Sequence, residues 1–301
     1  MTNTEILNAG QPNYNRLHFG WFLVDWCNYN CSYCCTGGAQ SEQFSKAKSP
    51  SRYNLVLHRL RNVTTDFEVD LYGGEPTLHP EFHYILEQFA EMDRCKLIEI
   101  KTNLSRPLPF LRKVFQHKKV RLSASYHPEY FGQPFIDKCV ALKDEDFYCH
   151  INLSDNPQDW PQILKLVEIF DEVGVQYDFN LLYSVPGYEV NYTPEFFKLF
   201  ENTLPKLADK ETYRYLFSGT GEQHLRAFEI YKRGLANFKG YKCQAFAYEI
   251  KTDGEIKNLC TGKVLPLAIK ESDTHGGVVC PLTRCESDMM LHFYKEKLND
   301  N

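Results

Sequence analysis

Short apolar runs alternate with amphipathic stretches over the first two-thirds of the chain. The runs at 19–26 (FGWFLVDW), 67–71 (FEVDL), 97–102 (LIEIKT), 120–125 (VRLSAS), 147–153 (FYCHINL) and 176–183 (QYDFNLLY) have the length and side-chain types of strands. Between them lie helical patterns. In 80–92, Phe82, Ile85, Leu86 and Phe89 recur at the spacing of one helix face, and in 160–172 Trp160, Ile163, Leu164, Val167 and Phe170 do the same. Pro80 and Pro161 stand where first helical turns begin. Six strands alternating with helices predict an α/β fold with a parallel sheet. Periodicity leaves open whether that sheet is doubly wound or a barrel. Either way, sites gather at the carboxyl ends of the strands.

Several suggestive features fall at that rim. Cys27 follows the first strand, Gly73-Gly74 the second and Thr102-Asn103 the third, and Ser125 ends the fourth. After about residue 190 the rhythm fades into two helical stretches, about 193–208 and 222–234, and then a tail containing glycine and cysteine. The expected division is an N-terminal extension at 1–15, the strand–helix unit with its helical connection at 16–234, and a small tail domain at 235–301.

Composition narrows the function classes. The 301 residues are 43% hydrophobic and 24% charged, enough for a sizeable core. The net charge is −5 with no lysine or arginine block, so no nucleic-acid partner is expected. The segment MTNTEILNAGQPNYN lacks the apolar core of a signal peptide, and no run reaches the ~18 apolar residues of a membrane helix, so a cytoplasmic protein without a membrane partner is expected. Eleven cysteines in such a chain point to metal or redox chemistry rather than disulfides.

Cys27, Cys31 and Cys34 lie together in WCNYNCSYCC. A cubane 4Fe–4S cluster takes one protein ligand per iron, so three thiolates on one loop leave one iron open for another ligand. Zinc and an electron-transfer ferredoxin are the alternatives, although structural zinc favours paired cysteines and ferredoxin runs use other spacings. With Gly73-Gly74-Glu75-Pro76 after the second strand, the pattern resembles the radical S-adenosylmethionine (SAM) superfamily. The resemblance implies a partial (β/α)6 barrel. It places Tyr33 against the adenine, the Gly73, Gly74, Glu75, Pro76 turn on the methionine amino group, and Thr102, Asn103 and Ser125 near the rest of SAM. The glycines would let the backbone approach a ligand closely, and Glu75 would pair with its ammonium. It also implies cleavage of SAM to a 5′-deoxyadenosyl radical, with an external one-electron donor such as flavodoxin or ferredoxin.

Four cysteines remain in the tail: Cys243, Cys260, Cys280 and Cys285. YEIKTDGEIKNL reads as a β-hairpin with a Thr-Asp-Gly turn, bringing Cys243 and Cys260 together, while Cys280 and Cys285 follow a Gly276-Gly277 turn. Four thiolates would fully ligate an iron–sulfur cluster or a zinc ion. The C–x10–G–x5–C spacing resembles the SPASM extension of radical SAM enzymes, in the truncated Twitch form that carries one auxiliary 4Fe–4S cluster.

Outside the clusters, His127 just past a strand end and Cys149 on the fifth strand are candidate catalytic residues, with Asn152 and Tyr183 as further rim candidates. Cys35 reads as a packed thiol. The resemblance implies an oxidation or cross-linking of a small molecule or peptide, with the auxiliary cluster as electron acceptor. The position of Cys27 so near the start of the chain favours a small molecule, or a peptide recognised without a preceding leader-binding domain. A redox-neutral epimerisation with a cysteine hydrogen donor, or a non-catalytic iron–sulfur or zinc protein, are the competing readings.

Overall fold

The computed structural model describes residues 5–11, 16–35, 50–130, 132–182, 184, 187–203, 213–269, 277–285 and 288–298. The strand candidates form β2 (Leu17–Val24), β3 (Phe67–Gly73), β4 (Cys95–Thr102), β5 (Val120–Tyr126), β6 (Phe147–Leu153) and β7 (Tyr177–Leu181). Each pairs in parallel with the next, as the alternating pattern predicts. Connecting them are helices α1 (Pro50–Arg61), α2 (Phe82–Ala90), α3 (Leu108–Val114), α4 (Gln133–Leu142) and α5 (Trp160–Val173). A proline stands in the first turn of α5, and Gly174 ends it in the left-handed conformation (φ 78°) with its N–H on the Phe170 carbonyl.

The helices cover one face of the sheet. Val69, Leu71, Ile98, Ile100, Leu122 and Ile151 pack under Leu60, Ile85, Phe89, Leu111, Leu142 and Phe170 in one apolar core. Parallel strands covered on both faces are apolar throughout. Here every second position is polar instead: Glu68 and Asp70 on β3, Glu99 and Lys101 on β4, Ser123 and Ser125 on β5, His150 and Asn152 on β6, Asp178 and Asn180 on β7. The sheet therefore has a helix-covered apolar face and a polar face. It is not closed: the edge strands of its order are different elements, β7 at one side and a hairpin of the tail at the other.

That hairpin is the expected one, β11 (Ala247–Ile250) and β12 (Ile256–Asn258) around a turn with Gly254 at φ 87°. Its β11 lies parallel to β2, Tyr248 opposite Phe19, and so extends the main sheet. A second sheet has the order β13-β10-β14-β1-β8-β9. It comprises β1 (Ile6–Ala9), β8 (Tyr213–Phe217), β9 (Gly221–Leu225), β10 (Tyr241–Cys243), β13 (Val278–Val279) and β14 (Lys295–Lys297). The first strand of the chain thus sits between two strands from its last third. The helix expected over 193–208 is α6 (Pro194–Thr203). The one expected over 222–234 is shorter: 221–225 pairs with β8 as a strand, and only α7 (Ala227–Lys232) is helical. Cross-strand bonding to β8 outweighs the local helical pattern there. A short helix α8 (Asp288–Leu291) precedes β14, and Tyr215, Phe217, Phe238, Leu291 and Phe293 form the second core.

Candidate active site

At the carboxyl ends of β2 and β3 two loops are stitched together by backbone alone. The Gly74 N–H donates to the Val24 carbonyl (2.8 Å) and the Glu75 N–H to the Trp26 carbonyl (2.9 Å). A Cβ on Gly74 would stand 1.9 Å from the Trp26 oxygen, and one on Gly73, at φ 140°, 2.1 Å from the Val24 oxygen. Only glycine fits either position. Within the protein, they admit the backbone of the strand end that leads into Cys27.

Glu75 has partners within the protein. Its carboxylate is 0% exposed and turned into the protein. Oε1 accepts from the Thr77 N–H (3.1 Å), the Thr77 hydroxyl and the Thr102 hydroxyl (2.8 Å), and Oε2 accepts from the Asn103 N–H (2.7 Å). Burial pushes its pKa up, and these donors offset only part of that. The carboxylate is thus occupied by the protein's own donors rather than held out to an ammonium. It caps the turn that starts at Pro76 and ties it to the end of β4. From there Asn103 Nδ2 reaches Asn28 Oδ1 (3.1 Å) and Cys27 Sγ (3.5 Å).

The cysteine loop is held from its other side by the segment after β5. The Asn30 N–H donates to the Tyr130 hydroxyl (2.6 Å), and the Ser32 N–H to both oxygens of Glu129 (3.1 and 3.2 Å), which also takes the Ser32 hydroxyl. The Tyr29 and Tyr130 rings stack at 4.0 Å and 1°. His127 Nδ1 lies 3.1 Å from the Tyr33 hydroxyl and 3.5 Å from Cys31 Sγ, and burial pushes its pKa down to about 4. His127, expected to touch substrate, therefore packs on the cysteine loop. Tyr33, expected against an adenine, is buried with its ring stacked on His127 and its edge near Tyr188. Ser125 is half-buried on the polar face of β5, opposite His150. Beside this loop opens a cleft of about 330 Å³, lined in part by Tyr29, Asn103, Ser105, Tyr130 and Lys138.

The three thiols lie within electrostatic reach of one another. Burial raises Cys27 and Cys31, the latter to about 12, and the neighbouring Cys34 adds to both. Two N–H groups, from Tyr29 (3.3 Å) and Asn103 Nδ2 (3.5 Å), point at Cys27 sulfur. Such N–H···S bonds support cluster thiolates, so these residues fit an iron–sulfur cluster. Cys35 is exposed rather than packed.

Cys149 is a correction. It is 0% exposed on the helix side of β6, hydrogen-bonded to the free Cys139 thiol on α4. Strand side chains alternate, so the polar face receives its neighbours Tyr148 and His150 instead. There His150 Nδ1 bonds Asp178, the Tyr148 hydroxyl donates to Glu99 (2.8 Å), and Asn180 Nδ2 donates to Asn152 Oδ1 (2.8 Å). Asp70 pairs with Lys101 (2.8 Å) and His18 (3.3 Å). Burial opposes the His150 imidazolium, but the Asp178 carboxylate outweighs it and raises its pKa. Solvent still reaches 25% of the His150 side chain, 22% of Asp178 and 38% of Lys101. Of this set the sequence reading named only Asn152. The signal for the set was the charge at every second position of strands otherwise apolar.

The tail cysteines converge. Cys243 ends β10, Cys280 follows β13 with its N–H on the Tyr241 carbonyl, and the Cys285 N–H donates to the Ala236 carbonyl (2.7 Å). Cys260 follows β12, its N–H on Asn258 Oδ1 (3.0 Å). All four belong to the second core or pack on it. Burial raises Cys243 to about 11 and Cys260 to about 12, with Cys280 and Cys285 adding to both. A set of soft thiols without a carboxylate suits an iron–sulfur cluster or zinc. Among the described residues, no three His, Cys, Asp or Glu side chains meet closely enough for a single metal ion. Tyr183 and Gly276 lie outside the described residues.

Residues 21–127 match the family model described as the radical SAM superfamily. Among curated proteins, a GTP 3′,8-cyclase of Pasteurella multocida is 32% identical over 102 residues, 34% of this chain and 29% of that protein. One of Haemophilus influenzae is 30% identical over 142 residues, 43% of this chain and 39% of that protein. The matched stretch thus spans well under half the length of these relatives. Among solved structures, anSMEcpe with bound AdoMet superposes with a TM-score of 0.57 at 12% identity, over 86% of this chain and 77% of that one. Streptococcus suis SuiB does so with 0.50 at 16%, over 80% and 60%. At such identity these likenesses show the fold, an α/β parallel sheet resembling the radical SAM partial barrel. The Cys27 loop, the Gly73-Gly74-Glu75 turn and the strands between them thus lie within the stretch that matches the radical SAM superfamily model, a family that uses a 4Fe–4S cluster and SAM.

Proposed function

We propose that this protein is a radical SAM enzyme that oxidises or cross-links a small molecule or a peptide lying against the polar face of the main sheet. One observation carries the reading: the Cys27, Cys31, Cys34 loop is fastened by backbone hydrogen bonds to the Gly-Gly-Glu turn at the carboxyl ends of two adjacent parallel strands. Cys27, Cys31 and Cys34 would hold the 4Fe–4S cluster, which when bound supplies the electron that splits SAM into methionine and a 5′-deoxyadenosyl radical. The chain's own part is positioning. Asn103 and Tyr29 orient the Cys27 sulfur, Glu129 and Tyr130 fix the loop, and the half-buried site limits water. Cys243, Cys260, Cys280 and Cys285 would hold a second iron–sulfur cluster, the electron acceptor for a net oxidation.

Cys149 faces the helices, so it offers no hydrogen to the polar face, and this weighs against an epimerase that uses it. The likeness to GTP 3′,8-cyclases favours a second reading, a radical rearrangement. That likeness covers 34% and 43% of this chain for the two relatives and leaves the substrate open. Anaerobic reconstitution with SAM and a reductant tests the proposal. 5′-Deoxyadenosine should form, at about eight irons per chain for two cubanes. Cys31→Ala should abolish cleavage, and Cys260→Ala should spare cleavage but block product. Absence of 5′-deoxyadenosine from the loaded protein would sink the reading.

A further inference from the structure

Two polar groups are buried beside the tail thiols. In the second sheet Cys243 stands directly opposite Lys295, Lys295 opposite Ala9, and Ala9 opposite Tyr215, one row across β10, β14, β1 and β8. Directly opposed residues share a face of the sheet. All four are buried, on the side of the core that also holds Cys280 and Cys285. Lys295 is a lysine only 1% exposed. Its Nζ donates to the Met290 carbonyl and to the Phe293 carbonyl (2.8 Å), and it lies 5.0 Å from the centre of the Phe238 ring. These partners satisfy its N–H groups but carry no formal negative charge. A buried charge is costly unless an opposite charge is close, and the anions at hand are thiolates. Burial pushes up the pKa of Cys243 and of Cys260, and Lys295 is the neighbour that works against it in both. Tyr215 is 0% exposed, and its hydroxyl has no hydrogen-bond partner among the described residues. Burial raises its pKa and Cys285 adds to that, so the phenol lies near this thiol. A buried hydroxyl is normally bonded, and an orphan one points to an acceptor brought by a bound group.

We propose that Lys295 and Tyr215 set the electron affinity of the tail site, presenting an ammonium and a phenolic O–H to a cluster held by Cys243, Cys260, Cys280 and Cys285. The inference rests on the reading of those thiols as ligands of a second iron–sulfur cluster that accepts an electron. Local charge and hydrogen bonds to sulfur are the means by which a protein sets a cluster's potential. A cation and a donor both favour the more negative, reduced state, and a dry core screens them little. Lys295 is fixed for this role by the two carbonyls and by its place in β14, and Tyr215 by its ring, 6.3 Å from that of Phe238. The row thus makes the tail site a better electron acceptor than four buried thiolates alone would be.

The test is a potentiometric titration of the anaerobically loaded full chain, read by electron paramagnetic resonance. Cys27→Ala, Cys31→Ala and Cys34→Ala together remove the first site, so the remaining signal belongs to the tail, which should hold about four irons. In that background Lys295→Met should shift the one-electron equilibrium about tenfold toward the oxidised form, a potential about 59 mV lower. Lys295→Arg should stay within about threefold of the parent. Tyr215→Phe should shift the equilibrium about threefold in the same direction as Lys295→Met. In the cluster-free protein it should leave the unfolding temperature unchanged or higher, because there the hydroxyl has no partner to lose. A merely structural role predicts the reverse, lower stability without the cluster and an unmoved potential with it. Should Lys295→Met bind no iron, Tyr215→Phe decides alone. About four irons with unmoved potentials would overturn the inference and leave the second cluster standing. Zinc or no metal in the tail would overturn the second-cluster reading and the inference with it. SAM cleavage by the wild type is measured separately and is untouched by either result.

Discussion

Glu75 gives the sharpest quantitative expectation. In Glu75→Gln the side-chain oxygen can keep the Thr77 and Thr102 donors, but the amide NH2 then faces the Asn103 N–H, donor against donor. A buried N–H left without an acceptor costs about 1–3 kcal/mol, and the remaining bonds lose their charge assistance. Removing a desolvated charge returns part of this, so the net loss should be about 2–4 kcal/mol. For a chain of this size ~1 kcal/mol moves the unfolding temperature by roughly 2–4 °C, so a fall of about 4–16 °C is expected. Glu75→Ala strands the Thr77 and Asn103 N–H groups and the Thr102 hydroxyl together and should fall further. Thermal unfolding of the cluster-free protein, reduced and anaerobic, measures both. The pH dependence has a defined sign. Because the folded pKa is raised, folding favours the protonated form. The wild type gains from it at low pH and loses stability as pH rises from the ordinary glutamate value of about 4.3 through the folded one. Glu75→Gln should lack that slope. A Glu75→Gln protein within about 0.5 kcal/mol of wild type, the range of an ordinary surface change, would refute the account of this carboxylate as a loop tie. Lost SAM binding at unchanged stability would return it to the ligand.

Gly74→Ala should fail to load iron at the first site, because its Cβ and the Trp26 carbonyl cannot share space; iron and sulfide counts check this. Glu129→Ala should speed hydrogen exchange of the Ser32 amide in the cluster-free protein about tenfold, the equivalent of one charge-assisted bond, and unchanged exchange would show that the loop is set without it. The His150–Asp178 pair should stabilise most below the ordinary histidine pKa of about 6.5 and fade as pH rises through the raised folded value; urea midpoints of wild type and Asp178→Asn should therefore differ more at pH 5.5 than at pH 8.5.

Much of the rim was legible because its signals are local. A strand's length, a proline in a helix's first turn and a cysteine three residues after Val24 all lie within a few positions of one another, and alternation of strand and helix leaves a parallel sheet as the natural outcome. Local pattern therefore determined which segments became strands β2 to β7 and placed Cys27, Gly73-Gly74 and Thr102-Asn103 together at their ends. It also determined the hairpin at 247–258.

Tertiary structure decided the rest. Whether Cys149 or His150 faces the open side is a matter of one residue in a period of two, settled only when α4 covers one face. Half of the partners of Glu75 could not be read from its neighbourhood: Thr77 is two residues away, but the Thr102 and Asn103 donors come from the end of β4, 27 and 28 residues on, and only the folded turn aims them. The grip of His127, Glu129 and Tyr130 on the cysteine loop spans nearly a hundred positions. The placement of β1 among the tail's strands, and of the tail's hairpin beside β2, had no sequence signal either. Backbone N–H and C=O groups are the same in every residue, so a strand's pattern tells which face it buries but not which distant strand will satisfy its hydrogen bonds.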